Sequence, residues 1–373
     1  MIEFTPQNRT GHRVLLTPGP LTTTATVRAA MCDDIGTWDD DAIDLVREIR
    51  AELVALAAGK DLTCTLMQGC GRMGVECVLG SSVPRDGGKL LILNNGAYGV
   101  RMARSAKAMG VPFVEMRDSE EEAHRPERVE ELLAADSAIT HVAGVHCETT
   151  TGLLNPIREI GLAVGRQKRR LIVDAISSFG AYPIDFSAGP IDHLVGSSNK
   201  CIEGVPGFSF IISRRAAVEE CAGNARSFCF DLHGQWKAFE ERGRFRFTPP
   251  THVLMAFRQA LRELRAEGGI TARERRYREN NATLIAGMKE LGFQPLIPAA
   301  IQSHIITTFL YPNPTFDFQA FYRALRERGY IIYPGKLTQR DTFRIANIGS
   351  IGREEIKGFL RAVVETRAQA HAT

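Results

Sequence analysis

Short apolar runs alternate with helix-like segments along the first two thirds of this 373-residue chain. Each run ends in glycine, asparagine or other polar residues, as strands of a buried sheet do. Strands that alternate with helices predict an α/β fold with a mostly parallel sheet of seven strands, covered by helices on both faces. The predicted strands span 63–67, 89–93, 112–116, 141–145, 170–173, 191–196 and 208–212, and the predicted helices span 41–56, 74–83, 98–108, 126–135 and 157–167.

The pattern changes after about residue 250. A long helical pattern covers 252–290 and is broken near Gly268-Gly269, and a terminal helix is predicted over 353–369. Shorter strands are predicted at 305–310, 330–334 and 342–345. We therefore expect three parts: an N-terminal arm (1–25) that contributes to the small domain and the active site, a large domain (26–255), and a smaller α+β C-terminal domain (256–373).

Composition excludes several classes of protein. The net charge is only +3, and the basic groups are not interleaved with aromatic residues, so we expect no nucleic-acid partner. No uncharged apolar run approaches 18 residues, and the N-terminus lacks the apolar core of a secretory signal, so no membrane association is expected. None of the eight cysteines has metal-site spacing, which predicts free thiols in a reducing cytoplasm and no metal.

A glycine-rich turn follows the first predicted strand. Gly69-Cys70-Gly71-Arg72 lies where a strand leads into a helix, and exposed backbone amides together with the Arg72 guanidinium suit a phosphate group. Gly69, Gly71 and Gly74 also match the GxGxxG pattern of dinucleotide-binding folds. That interpretation loses weight because the next predicted strand ends in Asn94-Asn95-Gly96, without the expected acidic residue. A simple turn remains the alternative interpretation.

Two further strand ends carry charged residues. Asp174 closes the apolar strand 170–173, either as a helix cap or as a carboxylate that faces a cationic ring nitrogen. Lys200 lies in the loop Ser197-Ser198-Asn199-Lys200, where packing gives little reason for a lysine, although a surface lysine is the alternative. Pyridoxal 5′-phosphate (PLP) needs an amine, an acid at its ring nitrogen and an anion cradle, so the three strand ends together favour a PLP site.

Sequence runs over nearly the whole chain resemble those of the fold-type I, class V aminotransferases. The matching runs are Leu15-Leu16-Thr17-Pro18-Gly19-Pro20-Leu21-Thr22, His146-Cys147-Glu148-Thr149-Thr150-Thr151-Gly152, Val173-Asp174-Ala175, Ser198-Asn199-Lys200-Cys201 with Gly204-Val205-Pro206-Gly207-Phe208, Arg246-Phe247-Thr248-Pro249-Pro250-Thr251-His252, and Phe343-Arg344-Ile345 with Ile348-Gly349.

The resemblance implies a role for each candidate site residue. It implies that Lys200 forms the Schiff base with PLP and moves a proton between the substrate carbon and C4′ of the cofactor. It also implies that Asp174 pairs with the pyridine nitrogen. Arg344 is implied as the arginine that binds the acidic end of the substrate. The remaining implied cofactor contacts are Tyr98, stacked on the ring, Thr149, at the phenolic oxygen, Gly71 and Arg72, at the phosphate, Asn199, beside the lysine, and Thr248, contributed by a second subunit of a homodimer.

Within that family the runs are most similar to the branch that transfers the amino group of 2-aminoethylphosphonate to pyruvate during phosphonate catabolism. The resemblance implies those two small anions as substrates. One departure bears on the amine donor, because Cys70 and Arg72 stand where that branch has two hydroxyl residues. Two alternatives stay open: a related class V enzyme acting on alanine or serine with glyoxylate or on another aminophosphonate, and a PLP-binding regulatory protein without turnover.

Overall fold

The computed structural model describes residues 13–335, 337 and 340–370. Its strands are β1 (Val14–Leu15), β2 (Leu62–Gln68), β3 (Leu90–Asn94), β4 (Phe113–Arg117), β5 (His141–Val145), β6 (Cys147–Glu148), β7 (Leu153–Leu154), β8 (Arg170–Asp174), β9 (His193–Ser197), β10 (Phe208–Arg214), β11 (Ile306–Leu310), β12 (Tyr330–Ile331), β13 (Tyr333–Pro334) and β14 (Thr342–Ala346). Its helices are α1 (Ala25–Ala29), α2 (Asp40–Leu56), α3 (Gly71–Ser82), α4 (Ala97–Ala108), α5 (Pro126–Ala135), α6 (Ile157–Arg166), α7 (Arg215–Glu219), α8 (Leu232–Arg242), α9 (Thr251–Glu267), α10 (Gly269–Glu290), α11 (Phe318–Glu327) and α12 (Arg353–Ala370).

Seven strands form the central sheet, in the order β2-β10-β9-β8-β5-β3-β4. Strand β10 runs antiparallel to both of its neighbours, β2 and β9, and the other adjacent pairs are parallel. The prediction of a mostly parallel seven-stranded α/β sheet is therefore confirmed. The parallel strands end at one edge of the sheet, where an open α/β sheet places its ligands.

Alternate residues of the strands face two separate cores. In β3, Leu91 and Leu93 pack with α2, α5, α6 and α9 on one face, whereas Leu90 and Ile92 pack with α3, α4 and α8 on the other. This alternation is the two-residue period of a strand, with both faces buried. Burial of both faces explains why the strands read as continuous apolar runs.

The small C-terminal sheet has three antiparallel strands, in the order β11-β14-β13. Its core is formed with α10, α11 and α12 and includes Phe293, Phe309, Phe343 and Phe359. The predicted strand 330–334 is wrong as one element. Ile332 is buried and belongs to neither β12 nor β13. Strand β12, before it, pairs with β1, and strand β13, after it, pairs with β14, so the two strands belong to different sheets.

The predicted arm and the predicted domain boundary stay predictions. Residues 1–12 of the arm lie outside the described residues, and β1 pairs in parallel with β12 of the C-terminal part. Helix α9 spans the predicted boundary at residue 255, and it packs Leu254, Phe257 and Leu264 on the core of the large sheet. This packing favours a later boundary, within α10. Among the described residues, no helix is both long enough and apolar enough to cross a membrane.

Candidate active site

Lys200 follows β9 in the loop that leads to β10. Its Nζ donates a hydrogen bond to the carbonyl of Pro18, at 2.5 Å. Gly19 lies directly against it at φ +130°, and a Cβ there would be 2.4 Å from Nζ. Burial lowers the pKa of Lys200 to about 8, although the charge of Asp174 opposes this shift. The neutral form of this amine is therefore more populated near physiological pH than it is for an ordinary lysine.

Hydroxyl groups fix the backbone of the Lys200 loop. Ser197 Oγ donates to Asn199 Oδ1 at 2.9 Å, and Ser198 Oγ donates to the carbonyl of Val205 at 2.7 Å. The predicted cofactor contact Asn199 thus lies beside Lys200 and has an internal partner. The two serines that precede Asn199 shape the loop that carries the lysine.

Asp174 ends β8 at the same edge of the sheet. The carboxylate is buried and accepts a hydrogen bond from the Ile176 amide at 3.0 Å. Burial raises the pKa of Asp174 to about 6, while this hydrogen bond and the charges of Arg72 and Lys200 lower it. The structure thus brings Asp174, Arg72 and Lys200 within electrostatic reach of one another.

Arg72 lies in the first turn of α3, because this helix begins at Gly71 rather than at the predicted residue 74. Its Nη1 is buried and has no hydrogen-bond partner in the described chain. Burial lowers the pKa of Arg72, and the charge of Asp174 partly restores it. Gly71 allows this approach, since a Cβ there would lie 2.7 Å from Ile176 Cδ1. A buried guanidinium nitrogen without a partner is suited to an anion.

Tyr98, Thr149 and Arg344 form a connected chain of contacts. Thr149 Oγ1 donates to the Tyr98 hydroxyl at 3.2 Å, and Arg344 Nη1 donates to the Thr149 carbonyl at 3.1 Å. Arg344 is only 1% exposed, and its Nε donates to the carbonyl of Pro334 at 3.0 Å. The small sheet therefore holds Arg344 against the turn between β6 and β7, whose Thr149 contacts Tyr98 in the first turn of α4.

Glu148 was assigned no role from the sequence, although it lies in one of the runs that carry the resemblance. It is 0% exposed and accepts from the Tyr98 amide at 3.0 Å and the Thr150 amide at 3.2 Å. Burial raises the pKa of Glu148 to about 7, against the effect of these hydrogen bonds. Gly96 leaves room for it, because a Cβ there would lie 2.5 Å from Glu148 Cγ. Glu148 thus fixes Tyr98 relative to Thr149.

Thr248 is not brought together with the other predicted site residues in this chain. It lies on an exposed loop between α8 and α9, in a groove of about 340 Å³. The same groove is lined by Trp38, which is 79% exposed, and Phe247, which is 45% exposed. The contribution of Thr248 to a second subunit's site stays a prediction.

A buried ionic cluster behind Lys200 was not predicted at all. Glu203 Oε1 accepts from Tyr277 Oη at 2.5 Å and from Arg276 Nη2 at 2.8 Å, and it lies 3.5 Å from Arg273 Nη1. Glu267 pairs with the same two arginines. The only sequence signal was Glu203 itself, an acidic residue three positions after Lys200. The partners of Glu203 on α10 lie some 70 positions away in the sequence, so no local pattern reveals the cluster.

This cluster connects the elements that carry Lys200 and Arg344. The Glu203 amide donates to the Lys200 carbonyl at 2.7 Å, and Arg273 Nη1 donates to the Cys201 carbonyl at 2.9 Å. Arg276 Nη1 donates to the Gly349 carbonyl at 2.7 Å, in the segment after β14. Charges of both signs alternate within the cluster, so its buried arginines are compensated.

Comparisons with known proteins agree with this arrangement. The family model described as aminotransferase class V matches residues 24–362. A protein from Syntrophobacter fumaroxidans named 2-aminoethylphosphonate–pyruvate transaminase is 51% identical over 352 residues, which cover 94% of this chain and 95% of that protein. A protein of the same name from Aeromonas hydrophila is 52% identical over 357 residues, which cover 94% of each chain.

Solved structures share the fold at lower sequence identity. Alanine–glyoxylate aminotransferase from Nostoc sp. superposes with a TM-score of 0.89 at 22% identity, covering 98% of both chains. Aspartate aminotransferase from Thermus thermophilus gives a TM-score of 0.86 at 20% identity and covers 95% of this chain and 99% of its own. At these identities the likeness establishes the architecture and leaves the substrate to be argued from the site.

Proposed function

Because this chain belongs to the class V aminotransferase family, whose cofactor is PLP, we propose that it transfers the amino group of 2-aminoethylphosphonate to pyruvate. The products are phosphonoacetaldehyde and L-alanine. The observation that carries the proposal is identity of 48–52% with relatives of that name, over 94–95% of this chain. Burial of Arg344 beside Tyr98 and Thr149 adds a cationic site for the acidic end of either small substrate.

The residues at the sheet edge fit PLP. Arg72, with its buried Nη1 unpaired among the described residues, suits the phosphate, and Gly71 lets the start of α3 approach it. Asp174 suits the ring nitrogen, Lys200 suits the aldehyde, and Thr149 and Tyr98 offer a hydroxyl and an aromatic face. When bound, PLP supplies an aldehyde that joins covalently to amines and a protonated ring that withdraws electrons from the reacting carbon.

Lys200 moves the proton in this proposal. Its Nζ takes a proton from the carbon that bears the substrate's amino group and later returns one to the pyruvate-derived carbon. Burial favours this role because it lowers the pKa of Lys200 to about 8 and so maintains a neutral base. Asp174 holds a negative charge near the ring nitrogen and thereby keeps that nitrogen protonated.

Arg344 binds the acidic group of each substrate in turn. Its Nη1 and Nε are already directed by the carbonyls of Thr149 and Pro334, so the planar guanidinium is held in one orientation. A guanidinium can bind phosphonate and carboxylate oxygens by paired hydrogen bonds. One arginine therefore serves the phosphonate in the first half-reaction and the carboxylate of pyruvate in the second.

The proposal includes a homodimer in the cytoplasm. Trp38, Phe228 and Phe247 are exposed aromatic side chains around the groove that contains Thr248, and such a surface suits a second copy of the chain. In the dimer, Thr248 would help to hold the cofactor phosphate in the partner's site. All eight cysteines are free thiols, which fits a reducing compartment.

The test is an assay of alanine formation from pyruvate with a panel of amine donors. We expect 2-aminoethylphosphonate to be the best donor, ahead of L-serine and other aminophosphonates. The alternative pair of L-alanine with glyoxylate is followed separately, by the glycine that it forms. A chain that binds PLP without turning over any donor would instead support the regulatory alternative. Efficient turnover of serine or alanine but not of 2-aminoethylphosphonate would contradict the proposed donor.

The role of Lys200 has its own test. After borohydride reduction, mass spectrometry is expected to place a pyridoxyl group on Lys200 of the wild type and none on Lys200→Ala. Lys289→Ala, at an exposed position of α10, is the matched control and should be labelled like the wild type. A pyridoxyl group on another lysine of the wild type would refute the assignment.

A further inference from the structure

Arg101 is a cation at the site that the proposed mechanism does not use. It lies on α4, three residues after Tyr98, and its Cζ is 5.1 Å from the centroid of the Tyr98 ring. Unlike the buried Arg344, it is exposed to solvent. Among the described residues, no carboxylate forms an ion pair with it. Stacking on the ring holds this guanidinium beside Tyr98 rather than in a surface ion pair.

The charge of Arg101 also acts on the two other guanidinium groups of the site. Burial lowers the pKa of Arg72 and of Arg344, and the charge of Arg101 lowers both further. Arg101 therefore lies beside Tyr98, and its charge acts on both Arg72 and Arg344. A concentration of positive charge of this kind favours anionic ligands.

In the described part of the chain, the charges of Asp174 and Glu76 act on Arg72 and that of Glu148 acts on Arg344, but none of the three carboxylates forms an ion pair with Arg101. Asp174 is placed for the ring nitrogen and accepts from the Ile176 amide. Glu148 accepts from the amides of Tyr98 and Thr150. The cofactor phosphate matches Arg72, and one acidic group of the substrate matches Arg344. Arg101, which forms no ion pair among the described residues, therefore stays available to the substrate.

We propose that Arg101 is a specificity-determining residue that supplies the second positive charge for a phosphonate dianion. This inference rests on the proposed function and deepens it. The pair Arg344 and Arg101 matches the two negative charges of a phosphonate, whereas a carboxylate offers only one. The site thereby distinguishes 2-aminoethylphosphonate from β-alanine, which has the same two-carbon spacing between amine and acid.

The experiment compares the two donors in the first half-reaction, with wild type, Arg101→Gln and Arg101→Lys. For Arg101→Gln we expect kcat/KM for 2-aminoethylphosphonate to fall about tenfold, mainly through KM, as loss of one charge-assisted contact predicts. The value for β-alanine and the KM for pyruvate should change less than about twofold, since a single charge is still matched by Arg344. Arg101→Lys should retain most of the preference because it keeps the charge.

Arg104→Gln is the matched control, because Arg104 is an exposed arginine on the same helix. It should leave both donors unchanged. The inference is overturned if Arg101→Gln lowers both donors equally or neither of them. Equal loss would indicate a structural role, and no loss would indicate an arginine without contact to substrate.

A binding measurement separates this inference from the proposed function. Calorimetry of the PLP-loaded protein with ethylphosphonate and with propionate, two unreactive acids, does not depend on turnover. If ethylphosphonate binds more tightly and Arg101→Gln abolishes the difference while 2-aminoethylphosphonate is not a substrate, the inference stands and the proposed function fails. If the wild type transaminates 2-aminoethylphosphonate and Arg101→Gln leaves the binding difference intact, the inference alone fails.

Discussion

Replacing Glu203 by glutamine tests the buried cluster behind Lys200. Glutamine keeps the size of the side chain but removes the charge that faces Arg276 Nη2 at 2.8 Å and Arg273 Nη1 at 3.5 Å. The two arginines would then share one carboxylate, that of Glu267. The substitution therefore leaves two arginines with a single carboxylate, so that part of their buried positive charge has no negative partner.

The expected loss of stability in Glu203→Gln depends on the burial of the ion pairs and on the carboxylate that remains, Glu267. Removing one partner of a buried ion pair destabilises a protein by about 3–5 kcal/mol. Glu267 stays in place and Arg276 is partly accessible to solvent, so we expect a loss near the lower end, about 3 kcal/mol, in the free energy of unfolding. Since Arg273 of the cluster holds the carbonyl of Cys201, next to Lys200, slower attachment of PLP should accompany the loss.

Urea unfolding of the apoprotein, followed by circular dichroism, measures the first effect. The control is Glu274→Gln on the same helix, because Glu274 pairs with Arg278, whose side chain is 66% exposed. That control should cost less than about 1 kcal/mol, as exposed ion pairs do. Equal stability of the Glu203 and Glu274 variants would refute the argument that burial makes the Glu203 cluster strong.

Three further predictions concern pH and the cofactor cradle. Glu148 has a pKa of about 7 in the fold, above the unfolded value of about 4.3, so its stabilising contribution is complete below pH 4 and lost as pH rises through 7. The free energy of unfolding of Glu148→Gln, relative to wild type, should therefore rise by roughly 3 kcal/mol between pH 4 and 8 in urea titrations of the apoprotein. PLP attachment to the apoprotein, followed by absorbance, should accelerate up to about pH 8, because only the neutral Lys200 amine reacts. Gly71→Ala should weaken PLP affinity about tenfold in fluorescence titrations, because its Cβ would crowd Ile176 and displace Arg72.

Each of these three has a decisive contrary result. A pH-independent stability difference for Glu148→Gln would mean that this carboxyl is not held protonated. An attachment rate that keeps rising towards pH 10 would give Lys200 an ordinary lysine pKa. For Gly71, the double variant Gly71→Ala, Ile176→Ala should recover affinity, and a failure to recover would place the effect elsewhere than in that contact.

Local patterns predicted the sheet and the three charged strand ends, because both depend on short-range periodicity. Asp174 and Lys200 were identifiable since a charged residue at the end of an apolar strand needs a partner. Glu148 was not identifiable in this way. Its environment depends on the contact with the Tyr98 amide at the start of α4, and the sequence pattern of β6 does not encode that contact.

Features that depend on contacts between distant parts of the sequence were not predicted either, because local patterns do not encode such contacts. The Glu203 cluster joins a loop to a helix far along the chain, and no local signal marks such a pair. The run 330–334 looked continuous, yet β12 and β13 pair with separate partners, and only the tertiary structure shows that Ile332 divides them. The roles assigned to the site residues remain predictions that the experiments above address.

The pairing of β1 with β12 affects how the protein is made. Val14 and Leu15 each leave the ribosome 316 residues ahead of their partners, Tyr330 and Ile331. Until β12 has been synthesised, Leu16 accordingly stays out of its core and Pro18 has no anchored position from which to accept the Lys200 hydrogen bond. On a nascent chain that lacks β12 the lysine is therefore uncovered, and its pocket is completed only after that strand has been made.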